Sequence, residues 1–214
     1  FTPLMMLHGL GCREPWDMDD QSAAVYQTYG KLHLALRPVF ARYGQEAAQG
    51  GAPMMRMMPL AFPEIDWSAV NDWDQQYMLG DDILVAPVAF YGNTRAVYLP
   101  QGEWFDVLTG EFVSGSAWRI HDVPLDRMPI FIRKGARLTL ASDIAARRAV
   151  QLVFDDAEDA MRPAPEEGWS IDAVGVVGGS TESQATPAMA EAVEKWFGTG
   201  FAWVRPVDAA GSST

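Results

Sequence analysis

Two stretches of different texture predict the fold class, α/β over residues 1–78 followed by an antiparallel all-β region. Continuous apolar runs at FTPLMMLHG and APMMRMMPLAF flank a long stretch of helical periodicity. Strand, loop, long helix, strand is the rhythm of a parallel α/β array. From Gly80 the apolar residues fall instead in short β-branched and aromatic runs parted by turn signals, as in an antiparallel sandwich or barrel. The chain has 214 residues, room for one domain of ordinary size or two small ones.

The elements follow in order. Residues 1–9 read as a short strand covered on both faces, because unbroken apolar character before a glycine suits a buried strand. After the polar loop LGCREPWDMDD, Val25, Tyr29, Leu32, Leu36, Val39, Phe40, Tyr43 and Ala47 recur at spacings of three and four. That stripe predicts a helix from about Ser22 to Gln49. Asp19, Asp20 or Ser22 can cap its start and Gly50 its end. Pro38 falls inside the stripe and predicts a kink or two abutting helices. APMMRMMPLAF is a second buried strand. ILVAPV, RAVYLP, GEWFDVL, EFV, AWRIHDV, PIFIR and ARLTL are then expected strands, and Tyr91-Gly92-Asn93, Pro100-Gln101-Gly102, Thr109-Gly110 and Ser114-Gly115-Ser116 are the turns between them. VQLVF at 150–154 is one more strand. Asp155 to Glu167 is acidic and proline-bearing, AMAEAVEKWF suits a short helix, and the Gly-, Ser- and Thr-rich end suits a poorly ordered tail. The domain boundaries expected from this are 1–78, 79–145 and 146–214, the last a partial distal β region and poorly ordered tail.

Composition excludes several functions. The net charge is −12, whereas a nucleic-acid binder needs clustered positive charge to displace counterions from phosphates. No apolar run approaches the roughly 18 residues of a membrane span. The single cysteine, Cys12, cannot form an internal disulfide or build a zinc site by itself. No phosphate loop, dinucleotide glycine fingerprint or paired-histidine metal motif occurs, so no cofactor or metal is expected.

Few ionisable residues offer chemistry. Asp81-Asp82 and Asp155-Asp156 are adjacent acids, but neighbouring side chains on extended backbone point to opposite faces, so they read as solvation and capping groups. His8 ends an apolar strand before Gly9, where α/β barrels place substrate contacts. Its imidazole can bond a sugar hydroxyl or, equally, the backbone. Arg13 and Trp16 in the following loop are weaker candidates, Trp16 as a platform for the flat face of a sugar or as loop packing. A contrasting reading makes the chain a non-catalytic carbohydrate-binding or structural module. It requires exposed aromatics in a planar row, with Trp104, Phe105 and Trp118 as the candidates, and core filling is their other expected role.

FTPLMMLHG with REPW, LALRPVFARYGQEAAQGGAPMMR, LAFPE, QYMLGDDILVAPV, VYLPQGEWFDVLTGE and PLDRMPIFIRKGA together resemble glycoside hydrolase family 31, the α-glucosidase and α-xylosidase group. The resemblance covers about residues 1–140, with an echo at LVFDDAED. It implies that residues 1–78 are the last two β/α units of a (β/α)8 barrel and that a β-sandwich follows. It implies a retaining α-glycosidase acting on terminal α-linked glycosyl residues of oligosaccharides. Such enzymes use two aspartates about 5 Å apart, one as nucleophile and one as acid/base. Both lie in family motifs preceding the FTPLMMLHG block, so the catalytic aspartates are expected upstream of Phe1 and none is assigned here. His8 matches a family histidine that hydrogen-bonds the sugar on the non-reducing side of the cleaved bond. Met6 stands where the family usually has arginine, which removes a charge-assisted contact.

A whole barrel needs about 250 residues, far more than the α/β stretch supplies. The chain also opens on Phe1 without a charged n-region or cleavage site. The expectation is therefore the C-terminal part of a larger glycosidase, inactive alone, with an oligosaccharide or α-glycoside as substrate. Residues 1–78, deprived of their barrel neighbours, are expected to aggregate.

Overall fold

A computed structural model describes residues 1–6, 11, 14–89, 91–143, 148–154, 162–172 and 175–179. Residues 1–6 form no strand, which corrects the first expected element as far as Met6. Extended backbone becomes a strand only where a neighbour takes its hydrogen bonds, and no described strand pairs with this segment. Phe1 is anchored instead, its carbonyl accepting from the Tyr77 hydroxyl at 3.3 Å.

The long helical stripe divides at Pro38, as expected. Helix α1 (Asp20–Ala35) ends on Leu36, and α2 (Arg37–Ala48) begins with proline in its first turn, where a missing N–H costs nothing. Asp19 caps α1, its carboxylate accepting from the Ser22 N–H at 3.0 Å and the Ser22 hydroxyl at 2.7 Å. Gly50 closes α2 at φ +89°, the left-handed geometry that glycine adopts without penalty.

The strands are β1 (Met55–Met57), β2 (Tyr77–Leu79), β3 (Ile83–Val85), β4 (Thr94–Leu99), β5 (Glu103–Asp106) and β6 (Glu111–Ser114), with a short helix α3 (Met58–Ala61) after β1. They continue as β7 (Ala117–Asp122), β8 (Ile130–Arg133), β9 (Arg137–Asp143), β10 (Arg148–Val153), β11 (Arg162–Asp172) and β12 (Gly175–Gly179). A six-stranded sheet has the order β1-β2-β3-β8-β5-β6, β4 pairs with β7, and β9 to β12 form a four-stranded sheet. Every pairing described is antiparallel. The predicted short runs from ILVAPV to VQLVF all contain strands, while β2, β11 and β12 were not predicted. The parallel rhythm expected for residues 1–78 has no parallel pair among the described residues, and β1 joins β2 across residue 78. The AMAEAVEKWF segment, Asp155-Asp156 and the chain end lie outside the described residues.

The six-stranded sheet is buried on both faces, so its central strands are apolar without alternation. On one face Leu79, Ile83, Val85, Phe105, Ile130 and Ile132 meet Leu32, Leu36, Val39 and Tyr43 of the helices and Leu138, Leu140 and Leu152 of the four-stranded sheet. On the other, Met78, Leu84, Phe131 and Trp104 meet Val97 and Leu99 of β4 and Met58, Phe62, Trp67 and Val70. The cross-strand register runs Met78, Leu84, Phe131, Asp106. An acid therefore ends an apolar row.

Candidate functional site

His8 and Arg13 lie outside the described residues, as does Cys12. Trp16 belongs to the 3-10 turn Pro15–Asp17. The described residues on either side of this loop in sequence make their own bonds. On one side are the Phe1–Tyr77 bond and Thr2, whose hydroxyl donates to the Leu4 carbonyl at 2.7 Å. On the other, the Asp17 N–H donates to the Glu14 carbonyl at 3.0 Å and the Asp19 cap starts α1. Of the flanking residues, Leu4 is 73% and Met6 65% exposed. Side chains of this kind are ordinarily packed away.

Asp81 and Asp82 face different partners, as their adjacency predicts. Asp81 pairs with Arg56 of β1. Asp82 accepts from the Arg42 guanidinium and the Tyr43 hydroxyl, each at 2.7 Å. Their turn is bound further by Arg133, whose side chain donates to the Asp81 carbonyl at 3.0 Å and whose N–H donates to the Asp82 carbonyl at 2.8 Å. Burial together with the Asp82 carboxylate holds the Tyr43 phenol well above its ordinary pKa, so it stays a donor. The LGDD turn is thus a clamp joining α2, β1 and β8. Nothing in it places two carboxylates about one bond.

Asp106 is the acid that sequence reasoning missed. It is 1% exposed. One oxygen accepts from the Leu108 N–H at 2.9 Å, and the other lies 3.4 Å from His121 Nε2. The Asp-x-Leu-Thr-Gly spacing of an Asx turn was the available signal. Burial raises the Asp106 carboxyl, against the opposing pull of His121 and of donors from Leu108 and Thr109. A raised folded pKa contributes stability that is complete below the unfolded value of about 3.9 and is lost as pH rises through the folded value. Asp106→Asn keeps the turn acceptor but removes this titration. Urea unfolding of both proteins across a pH series should show the wild type losing stability relative to the variant as pH climbs from about 4. A relative gain would contradict the assignment.

The planar aromatic row that the contrasting reading requires does not form, and Trp104 and Phe105 take the core-filling role expected of them. Trp104 and Phe105 are 0% and 1% exposed and belong to opposite faces of the same sheet, because adjacent strand residues point opposite ways. The Trp104 indole N–H donates to the Pro100 carbonyl at 2.9 Å. Only Trp118 of the three is exposed, at 42%, edge-on to Tyr98 with ring centroids 5.5 Å apart. Among the described residues no group of three or more His, Cys, Asp or Glu could hold a metal ion, and no helix is long and apolar enough to cross a membrane.

Residues 51–138 match the family model described as the glycosyl hydrolase family 31 C-terminal domain. Alpha-glucosidase 2 of Bacillus thermoamyloliquefaciens is 31% identical over 144 residues, covering 65% of this chain and 18% of that protein. An alpha-xylosidase of Saccharolobus solfataricus is 35% identical over 143 residues, covering 65% of this chain and 19% of its own length. Among solved structures, a Flavobacterium johnsoniae GH31 dextranase complexed with isomaltotriose superposes with a TM-score of 0.57 at 31% identity, covering 62% of this chain and 16% of the dextranase. The chain thus spans about a fifth of the length of the curated relatives it matches.

Proposed function

We propose that this chain, which carries a glycosyl hydrolase family 31 C-terminal domain, is the C-terminal portion of a retaining α-glycosidase that hydrolyses terminal α-linked glycosyl residues of oligosaccharides. Residues 1–78 complete its (β/α)8 barrel, 79–145 form the adjoining β-sandwich, and 146–214 contribute to a further β region. The observation that carries this reading is the exposed apolar surface of the segment assigned to the barrel. Among the described residues β1 is hydrogen-bonded on one side only, and Met57, Leu60, Leu4 and Met6 are 56–73% exposed. An edge strand bordered by uncovered apolar side chains fits a sheet that continues into the rest of a larger protein.

In this reading the two aspartates that attack and protonate the glycosidic bond belong to the preceding part of the parent enzyme. The chain supplies His8, whose imidazole hydrogen-bonds a hydroxyl of the sugar at the non-reducing side of the bond. Arg13 and Trp16 add a charged donor and an apolar platform at the rim of the same loop. Relatives named α-glucosidase, α-xylosidase and dextranase support an α-linked glycoside as substrate. In the parent enzyme His8→Ala should lower kcat/KM by roughly tenfold to hundredfold, the cost of a lost hydrogen bond and an unpaired sugar hydroxyl. An unchanged kcat/KM would overturn the role of His8.

A further inference from the structure

One described cleft is lined by residues from three segments of the chain. It occupies about 490 Å³ between Tyr29 of α1, Pro87, Val88, residues 91–93 and the loop at 123–128, a volume within the usual range of small-molecule sites. Its walls are fixed in place. The Val123 N–H donates to the Asn93 carbonyl, the Arg127 N–H to the Pro124 carbonyl at 2.9 Å, and the Tyr29 hydroxyl to the Asp126 carbonyl at 3.3 Å. Pro87, Val88 and Met128 give it an apolar lining. Tyr91 at its edge is fully exposed, so its ring is not committed to packing. Asn93 and Arg127 also line the cleft.

We infer that this cleft is an accessory binding site for a short neutral oligosaccharide, with Tyr91 as the stacking platform and Asn93 and Arg127 as hydrogen-bonding groups. An exposed aromatic face takes the apolar C–H face of a pyranose, while carboxamide and guanidinium groups bond its hydroxyls. The net charge of −12 and the neighbouring Asp126 disfavour an anionic ligand. Because the walls are already bonded to one another, little ordering is required on binding.

The site goes beyond the proposed catalytic role and is tested apart from it. Calorimetric titration of the 214-residue chain with isomaltotriose should give saturable binding. Tyr91→Ala should weaken it about tenfold, the cost of one aromatic stacking contact, and Asn93→Ala should weaken it severalfold. Trp118→Ala should leave it unchanged, with circular dichroism melts confirming that each variant is folded. Absence of saturable binding, or equal affinity in Tyr91→Ala, would overturn the site. Loss on His8→Ala with Tyr91→Ala unaffected would also overturn it, while leaving the His8 reading standing.

Discussion

Gly80→Ala should destabilise the protein by about 3 kcal/mol or more, placing it among the severe single substitutions. Gly80 opens the LGDD turn at φ +61°, a region that costs residues with a Cβ about 1–2 kcal/mol. A Cβ there would also come within 1.9 Å of the Tyr43 ring. The ring cannot simply withdraw, because it is buried in α2 and its hydroxyl donates to Asp82. Moving it releases the contact that seats α2 on the sheet. Chemical denaturation of Gly80→Ala, Tyr43→Ala and the double variant separates the two contributions. In the Tyr43→Ala background the glycine substitution should cost only the conformational part, about 1–2 kcal/mol. Equal costs in both backgrounds would show that Tyr43 does not set the requirement for glycine.

Trp104→Ala should cost about 3–5 kcal/mol, the usual range for a large aromatic removed from a core. Trp118→Ala should cost no more than about 1.5 kcal/mol, the upper range of an aromatic pair. Trp104 lies on β5 of the six-stranded sheet and Trp118 on β7 of the β4–β7 pair, but Trp104 is 0% exposed with its N–H bonded to Pro100, and the Arg133 guanidinium lies 4.7 Å from the ring. Trp118 is 42% exposed and meets Tyr98 edge-on. Urea midpoints distinguish the two directly, and similar losses would refute the assignment of Trp104 to the core.

Local signals in the sequence read well wherever the structure is locally determined. Pro38 announces the break between α1 and α2, Asp19 announces a cap, and the β-branched runs from Ile83 to Phe154 announce strands because each is bounded by its own turn. Signals fail where partners are distant. Apolar strands around a long helix suggest parallel pairing, but β1 pairs antiparallel with a three-residue strand, Tyr77–Leu79, too short to stand out. The role of Asp82 depends on Arg42 and Tyr43 forty residues earlier. Trp104 and Phe105 could not be told apart by pattern, because a sheet covered on both faces buries both. Pro163 and Pro165 mask β11, since proline lacks the N–H that a ladder uses. Of the candidate site, the order of motifs leads to His8, whereas the cleft at Tyr91 assembles from three segments and has no linear signature.

The proposal to be tested is that this chain is part of an α-glycosidase whose bond-breaking groups lie in the rest of the parent protein. Hydrolysis of p-nitrophenyl α-glucoside and α-xyloside by the purified 214-residue chain tests it most directly. Release of p-nitrophenol should not exceed the buffer blank for either substrate. Turnover that co-purifies with the chain and persists through rigorous purification would contradict the claim.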